Sequence, residues 1–161
     1  MILAVVLVVE VMDLLDAVFV AVAAPSVQAD IGGGGTLIQW IAAGYTLAYA
    51  VGLVTGGRLG DLYGRRRMFL LGLVGFLVMS LLCGLATDPG TLVGFRVLQG
   101  LFGAVLIPQG FGLIKSVFPD DQIGAAFGAF GPVIGLSAVG GPLLAGALVA
   151  WDPAGLGWRA I

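Results

Sequence analysis

Gly57-Arg58-Leu59-Gly60-Asp61-Leu62-Tyr63-Gly64-Arg65-Arg66-Arg67 gathers four of the chain's seven Lys and Arg residues into one short segment. An apolar run lies on either side, from about Thr36 to Gly57 before it and from Met68 to Ala86 after it. Each run approaches the ~20 residues that a helix needs to cross a hydrocarbon core about 30 Å thick. The segment therefore reads as a tight basic connection between two antiparallel membrane helices, and such connections stay on the cytoplasmic side. Its glycines suit helix ends and close turns, and Asp61 can cap a helix terminus or pair with an arginine.

The rest of the chain repeats the pattern. Of 161 residues, 60% are hydrophobic and 10% are charged, and the mean hydropathy is +1.12. A soluble domain has about 45 to 50% apolar and about 25% charged residues, so lipid is the main solvent of this chain. The length holds about five or six spans and no additional soluble domain. Apolar runs are expected as spans at about 1–24, 36–57, 68–86, 92–113 and 124–150, with a sixth beginning at Trp158. The predicted fold class is an all-α multi-span membrane bundle. Every connection is short enough to set neighbouring helices antiparallel. The second and fourth connections carry Arg58, Arg65, Arg66, Arg67 and Lys115, and the first and third carry no Lys or Arg. The N-terminus is accordingly expected on the cytoplasmic side of the cell (inner) membrane, with Trp40, Trp151 and Trp158 at the outer interface.

Several chemistries are excluded by residue type. The chain has no histidine and a single cysteine, Cys83, inside an apolar run, which leaves no disulfide, Cys/His metal centre or His-assisted thiol. No Gly-x-Ser-x-Gly is present, and the run Gly32 to Gly35 lacks the Lys-Ser/Thr of a phosphate loop. Asp13 and Asp16 fall on one predicted helix with no Gly-x-Gly-Asp on another, which argues against an intramembrane aspartyl protease. The basic residues form one cluster without interleaved aromatics, so nucleic acid is not an expected partner. Neither enzymatic activity, a cofactor nor a metal is expected.

Four charges fall inside spans: Glu10, Asp13, Asp16 and Arg96. A charge in hydrocarbon is expensive, and its ordinary meaning is function, facing the bundle interior or a wet cavity. At 100° per residue Asp13 and Asp16 lie about 60° apart, with Glu10 about 60° further on, so one broad face of span 1 holds all three. Glu10 is also compatible with an inner-interface position, and Arg96 is compatible with snorkelling to the outer one. Alternatively, Arg96 pairs with an acid of span 1. The 28 glycines suit close helix approach. Gly124, Gly128, Gly131 and Gly135 share one face of span 5, Ser137, Gly141 and Ala145 form a second small stripe, and Pro132, Pro142 and Pro108 are kink candidates.

The loop from Gly57 to Arg67 resembles the signature between the second and third helices of the major facilitator superfamily, G-x-L-x-D-x-x-G-R-R/K. Three further stretches are similar to elements of that family, in the same order. Arg96-Val97-Leu98-Gln99-Gly100 resembles its R-x-x-Q-G element. Gly128, Ser137, Gly141-Pro142 and Ala145-Gly146 resemble the antiporter motif G-x8-G-x3-G-P-x2-G-G, with Ser137 and Ala145 in place of two glycines. Leu15-Asp16 through Pro25, with Gln39-Trp40 to Tyr45, resembles the drug:proton antiporter branch with 14 helices. Val18 and Ala21 stand where that branch usually has Thr and Asn, Leu62 replaces a frequent basic residue, and Asp120 and Asp121 occupy a usually basic loop.

The resemblance implies part of the N-terminal six-helix bundle of a major facilitator fold, working by alternating access with the remaining helices of a larger carrier. It implies proton-coupled efflux of drugs or amphipathic small molecules. Asp16, Asp13 and Arg96 would couple to protons, and Gly57, Asp61, Gly64, Arg65 and Arg66 would latch the cytoplasmic side. Arg96, Gln99 and Gly100 would form the helix 4 motif, and Gly128, Ser137, Gly141, Pro142 and Gly146 the antiporter motif. Two alternatives stay open: a small-metabolite uptake carrier of the same fold, and a truncated, non-transporting membrane bundle. The expected partners are lipid, a small-molecule substrate and protons.

Overall fold

The computed structural model describes residues 2–152 and 155–160. Its helices are α1 (Ile2–Ile31), α2 (Gly34–Tyr63), α3 (Arg65–Gly84), α4 (Pro89–Val117), α5 (Asp120–Gly128) and α6 (Phe130–Trp151), followed by a 3-10 turn, Gly157–Ala160. No strand occurs among the described residues. By length and composition α2, α3, α4 and the α5–α6 stretch Asp120–Trp151 are each able to cross a membrane. α1 equals α2 in length, at 30 residues, but carries three acidic residues in its first half. Thirty helical residues extend about 45 Å, more than the hydrocarbon core, so these helices tilt or project from it.

The helix ends differ from the edges of the apolar runs. α1 continues through Pro25 to Ile31. Proline removes one backbone donor there, but Ala23, Ala24 and Val27 are buried, and Ala23 and Val27 join a cluster with Leu37, Ile41, Ala86, Leu92 and Trp158 that holds the last turns. α2 extends past Gly57 to Tyr63, so Arg58 and Asp61 belong to its final turns. The turn itself is Gly64, at φ 93° and ψ 127°, whose N–H donates to the Gly60 carbonyl at 3.0 Å. α4 starts at Pro89, where Asp88 caps it by accepting from the Thr91 N–H at 3.0 Å. The predicted span 124–150 is divided at Ala129, because Pro132 has no N–H to offer the carbonyl one turn earlier.

α4 is the centre of the bundle, packed along α2 on one side and α3 on the other, while α1 lies against α6. Small residues set the spacing. An added Cβ at Gly56 of α2 would overlap the Ala104 carbonyl of α4, and one at Gly75 of α3 would overlap the Phe102 ring. The surface is as apolar as the core, and a few polar side chains are enclosed within it. Large aliphatic side chains such as Val54, Leu81 and Leu143 point outward, whereas Arg96, Gln99, Gln109 and Ser137 are buried. Water could not solvate such a surface without penalty, and lipid can.

Candidate functional site

Spacing along α1 puts Asp13 and Asp16 on one face, and that face meets α2 and α4. Arg96, 3% exposed, donates from Nη1 to Asp16 Oδ2 at 2.6 Å and to Gln99 Oε1 at 2.7 Å. Gln99, fully buried, donates from Nε2 to Asp16 Oδ1 at 3.0 Å. One carboxylate, one guanidinium and one amide thus close a ring of hydrogen bonds between α1 and α4. The arginine lies inside the bundle and does not snorkel to an interface. Because α4 begins at Pro89, Arg96 is about 10 Å along the helix from that end. Its Nε has no hydrogen-bond partner among the described residues.

The second carboxylate is held from α2. Tyr45 donates its hydroxyl to Asp13 Oδ1 at 2.5 Å, and its ring lies under the Arg96 guanidinium, 4.6 Å from ring centroid to Cζ. Gly100 makes room for this tyrosine, since an added Cβ there would overlap the Tyr45 carbonyl. Glu10, one turn before Asp13, is not part of the network. Asp16 and Arg96 balance each other, and Asp13 has only a neutral phenol. An unmatched negative charge in a low-dielectric interior is costly, so the cluster is chemically suited to take up one positive charge, as a proton or as a cationic ligand.

Beside the pair lies a cavity of about 400 Å³ between α1, α3 and α4, lined mainly by apolar side chains, with Asp16, Arg96, Ser80 and Cys83 among its polar members. Cys83 is half-buried, with Sγ 3.9 Å from Gln99 Oε1.

At the arginine-rich end, Arg65 bonds Asp61 at 2.6 Å across the Gly64 turn and lies over Gly112 of α4. The pair is exposed, as are Arg66, Arg67 and Gly64, so by itself it adds at most about 1 kcal/mol. Gly57 has only an ordinary contact, with Pro108 at 3.9 Å from a notional Cβ. The antiporter-like stretch of α6 is split in its surroundings. Ser137, Gly141 and Ala145 are buried, and Gly141 sits against Val18 and Leu15 of α1, one residue from Asp16. A notional Cβ at Gly128 or Gly146 would meet nothing within 4 Å, nor would one at Gly124, Gly131 or Gly135, and Pro142 is exposed. The first small-residue stripe is therefore exposed and open to added side chains, and the second carries the packing on α1.

Three features are not evident from the residues alone. Tyr45 stands in an apolar run and only closes a motif there. Gln109 is fully buried and donates to the Gly56 carbonyl at 2.7 Å, although a polar residue after Pro108 in an apolar run is a usable signal. Trp158, expected at the interface, is buried instead. Its Nε1 donates to Asp30 at 3.0 Å, and Arg159 contacts Asp30 and the Ala86 carbonyl, so the 3-10 turn ties together the ends of α1 and α3.

The chain has a buried arginine–aspartate pair between its first and fourth helices and, toward the other end of the bundle, a glycine- and arginine-rich turn between its second and third. The family model described as Major Facilitator Superfamily covers residues 6–161. The chain belongs to the Major Facilitator Superfamily. Relatives of this major facilitator chain include the probable actinorhodin transporter of Streptomyces coelicolor, 58% identical over 99% of the chain and 28% of that protein. The tetracenomycin C resistance and export protein of Streptomyces glaucescens is 43% identical over 91% of the chain and 27% of its own length. The puromycin resistance protein of Streptomyces alboniger is 44% identical over 98% and 31%. The chain thus spans about 28% of the length of the first of these relatives, as a multi-pass membrane segment of a transporter family.

Proposed function

We propose that this segment is the amino-terminal part of a proton-coupled exporter of drugs or other amphipathic small molecules, with its N-terminus in the cytoplasm. The observation that carries the reading is the buried Asp16–Arg96–Gln99 ring with the second carboxylate, Asp13, one turn away. Relatives named for actinorhodin transport, tetracenomycin C export and puromycin resistance support the substrate class. Asp16 and Asp13 accept a proton or meet a cationic substrate, and Arg96 stays paired with Asp16 until one arrives. A charge moved through 100 mV gains about 2.3 kcal/mol, enough to drive exchange without ATP. Gly57, Asp61, Gly64, Arg65 and Arg66 latch the cytoplasmic end, and Gly100 sets the α2–α4 distance. Ser137, Gly141 and Pro142 let α6 pack on α1 while it bends, and Gly128 and Gly146 are free to meet helices beyond this segment. The basic residues at one end, Arg58, Arg65, Arg66, Arg67 and Lys115, support the cytoplasmic assignment.

The test is ethidium efflux from proteoliposomes holding the full-length carrier. Dissipating the pH gradient with nigericin stops efflux if transport is proton-coupled. Efflux that continues unchanged marks a uniporter and overturns the proposal.

A further inference from the structure

Every acid–base group of the site except one has an evident role, since Asp16 and Gln99 hold Arg96 and Asp13 is the spare carboxylate. The remaining one, Tyr45, touches both halves of the cluster. Its hydroxyl bonds Asp13 Oδ1 at 2.5 Å, and the face of its ring carries Arg96 at 4.6 Å. No hydrogen bond among the described residues joins Asp13 directly to Arg96 or Gln99, so the phenol is its bridge to the Asp16 ring.

The surroundings of Tyr45 fix it in this position. Its backbone carbonyl abuts Gly100, its hydroxyl lies 3.1 Å from a notional Cβ of Gly103, and its ring stacks on Tyr49 at 6.1 Å between centroids. Both glycines belong to α4, the helix of Arg96 and Gln99. A tyrosine wedged this tightly cannot follow Asp13 if that carboxylate moves, so a change at Asp13 alters the hydrogen bond and not the position of the ring.

We propose that Tyr45 is a positioning residue that makes the Asp16–Arg96 pair sensitive to the charge on Asp13. The proposal rests on the proton-coupled reading above. With Asp13 ionised, the phenol donates a charge-assisted hydrogen bond, which makes the fixed ring face more electron-rich and strengthens its hold on Arg96. When Asp13 takes a proton from water, that bond becomes a neutral one and loses about half its strength. The phenol keeps its own proton throughout. The hold on the guanidinium loosens, and Arg96, whose Nε has no partner among the described residues, is the group with a donor free to rearrange. The charged and titratable groups around Asp13 are Glu10 and Asp16 on α1, Tyr45 and Tyr49 on α2 and Arg96 on α4. α6 contributes none.

The experiment compares Y45F, which keeps the ring and loses the donor, with D13N and with the double variant. Each is reconstituted at full length, and ethidium transport is followed against external pH. Y45F is expected to move the pH midpoint upward by about one unit, a tenfold change in apparent proton affinity, because the ionised carboxylate loses its donor. In the D13N background the same substitution should leave the profile unchanged. A purely structural tyrosine would lower the rate evenly across pH in both backgrounds, which overturns the proposal. If Y45F does not reconstitute, infrared titration of the carboxylic-acid stretch in detergent-solubilised wild type and Y45F decides between the same outcomes. A wild-type profile that is flat with pH removes the proton-coupled reading itself. A pH-dependent wild type with an unmoved Y45F removes only the role of Tyr45.

Discussion

Arg96→Gln leaves Asp16 buried opposite a neutral group, and breaking a buried pair from one side costs about 3 to 5 kcal/mol. Adding Asp16→Asn should recover most of that loss, since both charges are then gone. The unfolding free energies of the two single variants and the double variant in detergent check this, and simple additivity would contradict a direct pair. These two residues are legible in the sequence because a charge in an apolar run is conspicuous. Their partners are not. Asp16 and Arg96 are 80 residues apart, Gln99 is marked only by its place in a motif and Tyr45 only closes another, so it is the packing of α1 and α2 on α4 that reveals that they complete the network. Gln109 is hidden for the same reason: its partner is a backbone carbonyl of another helix.

Two neighbouring glycines of α2 separate packing from function. Gly56→Ala drives a methyl group into the Ala104 carbonyl, and overpacking of that kind costs about 1 to 3 kcal/mol. Gly57→Ala meets only Pro108 at ordinary distance and should leave thermal stability unchanged. A transport loss in Gly57→Ala would then belong to the cytoplasmic latch, and fluorescence-detected thermal unfolding beside ethidium efflux separates the two effects. The helices themselves are readable from hydrophobic runs, yet their ends are not. Pro25 looks like a stop, but buried Ala23, Ala24 and Val27 hold the following turns in place. Gly57 looks like the end of a helix that continues to Tyr63, because a glycine inside a membrane helix interrupts the apolar run without breaking its hydrogen bonds. The division at Ala129 follows from Pro132, a kink candidate already visible in the sequence.

The two ends of the bundle are held by different chemistry, and pH distinguishes them. At the end bearing the 3-10 turn, hydrogen bonds from Arg159 and Trp158 hold the Asp30 carboxyl below the usual carboxylate range. A depressed value means that the contact is in full force above the ordinary aspartate value, about 3.9, and is lost as pH falls through the folded one. Thermal unfolding of the full-length carrier should therefore show an acid-dependent loss below about pH 4 that Asp30→Asn abolishes. At the arginine-rich end, a cysteine introduced as Arg66→Cys in a Cys83→Ser background should react with an impermeant maleimide only from the cytoplasmic side. The segment is about 28% of the length of the first of its relatives, and on the function proposed above the buried pair is where proton and dye movement are coupled. The most direct measurement imposes an ethidium gradient across proteoliposomes with no initial pH difference and follows proton movement with entrapped pyranine. Wild-type carrier is expected to move protons against the dye, while Asp16→Asn, which keeps the size of the side chain but accepts no proton, moves none. Equal proton movement in the two proteins would contradict the assignment of Asp16 as the coupling carboxylate.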